Sequence, residues 1–265
     1  MKNFINLKDI PAKDLRKILN DAKKRKNKRK KLSTLDIDGD KPLKGKLLIQ
    51  MYEKQSSRTR LSFHLSIAQL GGRSITIKPN ELHLGKGGET LADTAKILST
   101  YGDGFMIRTD SDKKIEDFSK NLTIPIINLL SPSSHPCQVL SDVFTVEEIK
   151  KKPISNLNIC WIGDTNNVLN SLIATSVKLK FNLNIGCPKN YRPPKFVMDW
   201  VKKNKRKVNF FIDPNKAVEN ADVIFSDKVV SLNDKINKLK KNKDFKNYRI
   251  NQRLMKKTKK NSTIF

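Results

Sequence analysis

The residues best suited to chemistry form the run Glu53-Lys54-Gln55-Ser56-Ser57-Arg58-Thr59-Arg60-Leu61-Ser62-Phe63. An apolar, strand-like stretch from Lys46 to Tyr52 precedes it, and a helical stretch ending at Gly71-Gly72 follows. Ser56, Ser57, Thr59, Arg58 and Arg60 are therefore expected at a strand-to-helix turn. The first turn of a helix carries N–H groups without partners and a partial positive charge, so it attracts anions. Arginine adds a planar fork matched to phosphate oxygens. The bland alternative is a Ser/Thr cap followed by solvated arginines. A second cluster, Ser134-His135-Pro136-Cys137-Gln138, weakens that alternative. Pro136 suits the first turn of a helix, which places Gln138 on its opening turn and His135 just ahead of it.

The elements that must hold these groups alternate. Strand-like runs fall at 46–51, 74–78, 104–108 and 124–129, with helical stretches at 59–70, 89–101 and 115–121. Thr94, Ile97, Leu98 and Tyr101 follow the spacing of a half-buried helix, which Gly102 is placed to cap. The pattern restarts with strands at 156–162, 183–186, 208–212 and 221–225, and helices at 166–180, 194–203 and 214–220. A long segment, 136–151, joins the halves, and Pro153 punctuates the boundary. Alternation of this kind implies parallel sheets with helices on their faces. The expected fold is α/β: two doubly wound parallel-sheet domains, residues 1–150 and 151–265, with the active site in the cleft between them. In such sheets ligands sit at the carboxyl ends of the strands. Ser56–Arg60, Arg108 and His135 all fall at or just after strand ends.

Arg108 closes the run Gly-Phe-Met-Ile-Arg, where a core role would be odd; a ligand contact and a surface ion pair are the two readings. His64 lies inside the first helix and reads as structural or exposed, and Cys137 as a buried thiol. In the second half, Gly163-Asp164-Thr165-Asn166-Asn167 forms a strand-to-helix turn, and Asp227 and Ser231 follow a strand in the same way. The glycine-rich signatures of dinucleotide and nucleoside triphosphate sites are absent, and His and Cys are too scattered for a metal cluster.

The net charge of +28 over 265 residues would suit a nucleic-acid binder, but its distribution does not. Lysine recurs over nearly every element, and its local runs at 23–31, 202–207 and 235–246 lack the interleaved aromatics of a stacking platform. No apolar run approaches a membrane span. Three cysteines without Cys-x-x-Cys spacing, and an N-terminus without a secretory core, suggest a reduced, cytoplasmic protein.

Ser-Ser-Arg-Thr-Arg-Leu-Ser-Phe resembles the carbamoyl-phosphate signature of the aspartate/ornithine carbamoyltransferase family, usually Ser-Thr-Arg-Thr-Arg. His135-Pro136-Cys137-Gln138 resembles its second motif, in the form usual for ornithine carbamoyltransferases. The likeness continues through Leu82-His83-Leu84-Gly85 and Asp93-Thr94-Ala95-Lys96-Ile97-Leu98-Ser99. It implies that Ser56, Ser57, Arg58 and Thr59 hold phosphate, and that Arg108, His135 and Gln138 bind the carbamoyl end. Arg58, Arg108 and His135 would be the catalytic residues. Asn167, Asp227, Ser231 and Leu232 match positions that hold the amino-acid part of ornithine, although Leu232-Asn233 replaces the usual Met-Gly. It implies a homotrimer, with His83 either on a loop that reaches a neighbour's site or on a surface turn, a role in arginine biosynthesis, and no metal or organic cofactor.

Carbamoyl transfer from carbamoyl phosphate to L-ornithine is the leading expectation. A sister enzyme using putrescine or an acylated ornithine, and a catalytically impaired carbamoyl-phosphate-binding protein, are the alternatives. The last arises because Ser262-Thr263-Ile264-Phe265 resembles the strand leading into the family's His-Cys-Leu-Pro motif. A C-terminally incomplete second domain, with Phe265 in a buried strand, is therefore expected.

Overall fold

Strands bounded by Gly, Pro and Asn are each followed by a helix along most of the chain. A helical return carries the chain back to its starting end, so successive strands pair in parallel. The computed structural model describes residues 3–82, 88–204, 208–229 and 238–265. It divides into two compact units, residues 1–137 and 138–265.

The first unit contains α1 (Ala12–Lys28), β1 (Leu47–Tyr52), α2 (Ser57–Gln69), β2 (Arg73–Ile77), α3 (Leu91–Tyr101), β3 (Gly104–Arg108), α4 (Asp112–Asn121) and β4 (Ile126–Leu130). All pairs in the sheet are parallel, in the order β2-β1-β3-β4. The order reverses between β1 and β3, the point at which such a sheet opens to ligands. Ile49, Met51, Phe105 and Ile107 pack one face of the sheet on Leu98, Ile115 and Phe118, the two phenyl rings 4.9 Å apart. Met106 and Leu129 pack the other face against Ile67 of α2. Cover on both faces is what a strand as continuously apolar as β3 requires. The chain near Phe4 also joins this sheet: Phe4 bridges Ile127 in parallel, donating to Ile126 O at 2.9 Å and accepting from Asn128 N at 2.8 Å.

Gly71 closes α2 at φ +84°, a left-handed conformation that favours glycine. Gly102 caps α3 as expected, donating its N–H to Leu98 O at 3.0 Å, but in a different conformation. Its φ is −117°, open to any residue, and glycine is needed there for space, since a Cβ would lie 2.8 Å from Ile49 Cδ1.

A helix, α5 (Pro136–Lys150), fills the joining segment, and the division between units falls in its first turn. The second unit continues with β5 (Asn158–Ile162), α6 (Asn167–Leu179), β6 (Asn182–Gly186), α7 (Lys195–Lys203) and β7 (Val208–Phe211). It closes with α8 (Pro214–Ala217), β8 (Val223–Phe225), α9 (Lys238–Asp244), α10 (Gln252–Met255) and β9 (Thr263–Ile264). Its sheet is again all parallel, ordered β7-β6-β5-β8-β9, and reverses between β5 and β8. Ile162 and Ile224 pack with Ala217, Phe245 and Leu254, while α6 buries Leu169, Leu172 and Ile173. Phe265, expected in a buried strand, is only half-buried because β9 is the sheet edge; its ring lies 5.3 Å from that of Phe225. Among the described residues no helix is long and apolar enough to cross a membrane.

Candidate functional site

At the reversal point of the first sheet, Ser56 is the N-cap of α2, with φ −158° and no hydrogen bond from its side chain to the helix. Its hydroxyl instead accepts from Arg108 Nη1 at 2.9 Å, and the same nitrogen lies 3.5 Å from Thr59 Oγ1. The end of β3 is thus tied to the first turn of α2. Arg108 Nε is buried with no acceptor among the described residues, and burial works against the charge of the guanidinium. Ser57 and Arg58 are exposed on the same turn, as is Arg60. Their position at an α-helix N-terminus leaves N–H groups turned outward beside two cationic forks.

A carboxylate braces this arrangement from behind. Glu53, just past β1, donates its backbone N–H to Arg108 O at 2.9 Å, and its carboxylate accepts from both Thr109 Oγ1 and Lys114 Nζ. The loops after β1 and β3 are therefore fixed to one another. Beneath them Tyr52 donates to Gln50 Oε1 at 2.7 Å, and burial pushes its phenol up to about 12.

His135 precedes α5 and is held in place by the loop before it, where Ser131 N donates to Ser134 O at 2.9 Å and Ser133 Oγ to Asp112 Oδ1 at 2.8 Å. Burial, followed by the nearby Arg108 cation, pushes the imidazole down to about 4. It is neutral at neutral pH, able to donate one N–H without bringing a second positive charge. Cys137, by contrast, donates to Asn128 O at 3.4 Å, and burial pushes its thiol up to about 12. His64 is exposed and hydrogen-bonded to Ser74 Oγ at 2.9 Å.

In the second unit the turn after β5 and the loop after β8 come together. Asn166 caps α6 by accepting from Val168 N and Leu169 N, both at 3.0 Å. Its Nδ2 donates to Asp227 Oδ2 at 2.9 Å, and Asp227 Oδ1 accepts from Lys228 N at 2.7 Å. Asn167 is the first residue of α6. The turn is anchored from below, where Lys241 Nζ of α9 pairs with Asp164 Oδ2 at 2.5 Å. Gln138, on the first turn of α5, donates through Nε2 to Asp142 Oδ1 at 2.7 Å. Burial, aided by the Asp227 charge, raises Asp142 to about 6 against the opposing effect of that bond. His83, Ser231 and Leu232 lie outside the described residues.

Known proteins show the same organisation. Residues 2–148 match the family model described as aspartate/ornithine carbamoyltransferase, carbamoyl-P binding domain. Residues 155–265 match its counterpart, the Asp/Orn binding domain. The chain belongs to the aspartate/ornithine carbamoyltransferase family. An ornithine carbamoyltransferase of Rhodopseudomonas palustris is 41% identical over 254 residues, covering 96% of this chain and 80% of the relative. One from Brucella ovis is 41% identical over 232 residues, or 88% and 72%. Among solved structures, the ornithine carbamoyltransferase of Pyrococcus furiosus superposes with a TM-score of 0.90 at 34% identity, over 99% of this chain and 83% of that one. The anabolic enzyme of Campylobacter jejuni also gives 0.90, at 30% identity over 100% and 85%.

For this member of the aspartate/ornithine carbamoyltransferase family, sequence reasoning singled out Ser56, Thr59, Arg108 and His135, which the first unit gathers. It passed over Glu53, Asp142 and Lys241, whose roles depend on partners far along the chain or one helical turn away. Of these only Asp142 had a local signal, a carboxylate four residues after Gln138 on the same helix face.

A test of the site's electrostatics follows from the depressed His135. The protein has three histidines, so imidazole signals are few enough to assign by NMR. His135 should titrate near pH 4 rather than 6.5. Because the unfolded chain binds that proton more readily, its contribution to stability is present above pH 6.5 and is lost as pH falls towards 4. A midpoint for His135 near 6.5 would contradict the neutral, half-buried imidazole.

Proposed function

We infer that this protein transfers the carbamoyl group of carbamoyl phosphate to the side-chain amine of L-ornithine, giving L-citrulline and phosphate on the route to arginine. The observation that carries the reading is Arg108, bridging to Ser56 and Thr59 at the N-terminus of α2 with neutral His135 close by. Ser56, Ser57, Arg58 and Thr59 take the phosphate oxygens, and the cation of Arg58 favours phosphate as the leaving group. Arg108 and His135 donate to the carbonyl oxygen as negative charge develops there. The amine's lone pair attacks the carbonyl carbon, the bond to the phosphate oxygen breaks, and the departing phosphate takes up the proton that the nitrogen loses. Asn167 and Asp227 are assigned to the amino-acid part of ornithine, Asp227 through its carboxylate to an ammonium group. No step calls for a metal or organic cofactor.

The direct test is carbamoyl transfer from labelled carbamoyl phosphate to a panel of amines: ornithine, acetylornithine, putrescine and aspartate. Ornithine should be the preferred acceptor; preference for another amine would move the protein to a sister activity. The family resemblance and three free cysteines further support a homotrimer in the cytoplasm. Sedimentation would test the former, with a monomer at working concentration counting against it.

Arg58→Ala should weaken carbamoyl phosphate binding by about 1.5–3 kcal/mol, the scale of one charge-assisted contact. Arg58 is exposed, so folding should be unaffected. Unchanged affinity by calorimetry would remove Arg58 from the phosphate site.

A further inference from the structure

The side-chain amide of Gln138 has two chemically opposite ends, and one is committed. Its Nε2 donates to Asp142 Oδ1 at 2.7 Å, one helical turn along α5. A carboxylate can only accept, so the amide nitrogen must face it and Oε1 must face away. Gln138 is exposed, so that oxygen is presented to whatever occupies the start of α5. An outward acceptor recognises an N–H donor and offers nothing to a methyl group.

We propose that Asp142 is a positioning residue that turns the Gln138 carbonyl outward, and that this makes the donor site selective for carbamoyl over acyl phosphates. The inference rests on the carbamoyl-phosphate reading above and adds to it the origin of donor selectivity. Carbamoyl phosphate carries an –NH2 where acetyl phosphate carries –CH3, and the two are otherwise close in size and charge. With Asp142 ionised, Gln138 accepts from the –NH2. Without it, the side chain must be ordered by the ligand itself, or settles with its nitrogen outward.

The test uses the intact protein with carbamoyl phosphate and acetyl phosphate as probes, read by calorimetry and, for carbamoyl phosphate, by steady-state kinetics. Asp142→Ala should raise the carbamoyl phosphate Kd about three- to tenfold, the scale of ordering one long side chain, and leave acetyl phosphate within about twofold. Asp142→Asn keeps the shape but lets either end of Gln138 face it, so its effect should fall between wild type and alanine. In a Gln138→Met background, Asp142→Ala should add nothing, because the group it positions is gone. Equal weakening of both probes, or full additivity in the double variant, would overturn the positioning role while leaving the donor site standing. A wild-type protein that binds neither probe would overturn the carbamoyl-phosphate reading, and this inference with it.

Discussion

Arg108→Met should lower kcat/KM for carbamoyl phosphate by about 10²–10³-fold, the cost of removing one donor to a developing oxyanion. Methionine keeps most of the apolar stem that lies along β3 and removes the fork. The fork bonds Ser56 through one nitrogen and holds another, Nε, buried without an acceptor among the described residues. A protein that only needed structure at this position would not retain a guanidinium whose charge burial opposes. The midpoint of denaturant unfolding should therefore hold steady or rise in the variant while turnover collapses. Activity within about tenfold of wild type would remove Arg108 from the reaction.

The second large effect is expected in stability. Lys241→Met should destabilise the second unit by about 3–5 kcal/mol, because Asp164 keeps a largely buried carboxylate without its cation. Lys241 is 2% exposed, and its Nζ lies 2.5 Å from Asp164 Oδ2. Thr165 N, at 2.8 Å from Oδ1, would remain as a hydrogen-bond donor but not as a counter-charge. The double variant Lys241→Met, Asp164→Asn should recover part of the loss. Because Asp164 sits in the turn that carries Asn166 and Asn167, the KM for ornithine should rise more than that for carbamoyl phosphate. A loss under about 1 kcal/mol by chemical denaturation would show that water screens the pair.

The alternation of strand and helix was legible because apolar runs and their punctuation are local properties. Strands β1, β3 and β5 begin and end within two residues of the hydrophobic runs that announced them. Helix α1 was hidden, since only Leu15 and Leu19 are buried among its lysines. In segment 136–151 Pro136 announced the start of a helix, and α5 runs the length of that joining segment with Val139, Leu140, Val143 and Val146 as its buried stripe. In the site, Arg108 stood out because a cation ending an apolar strand breaks the local rule. Lys241 did not, since within a lysine run a buried member has the same composition as its solvated neighbours. What distinguishes it is Asp164, a partner that only the fold supplies. Gly102 shows the same limit: its identity was readable, but its reason lay in Ile49, on another strand.

The bridge between Phe4 and Ile127 bears on the order of assembly. Asn3 Oδ1 accepts from Ile126 N, and Asn128 Nδ2 donates to Ile5 O, pairs separated by 123 residues of chain. A ribosome adding about 5–20 residues per second needs roughly 6–25 s to cover that separation. Throughout that interval the segment around Phe4 has no β4 to dock on, and parallel pairing over such distance closes slowly even once both partners exist. The segment near the amino end is therefore tied down only after most of its own sheet has been synthesised, and until it docks the newly made edge of β4 stays open to a chaperone or to a neighbouring nascent chain.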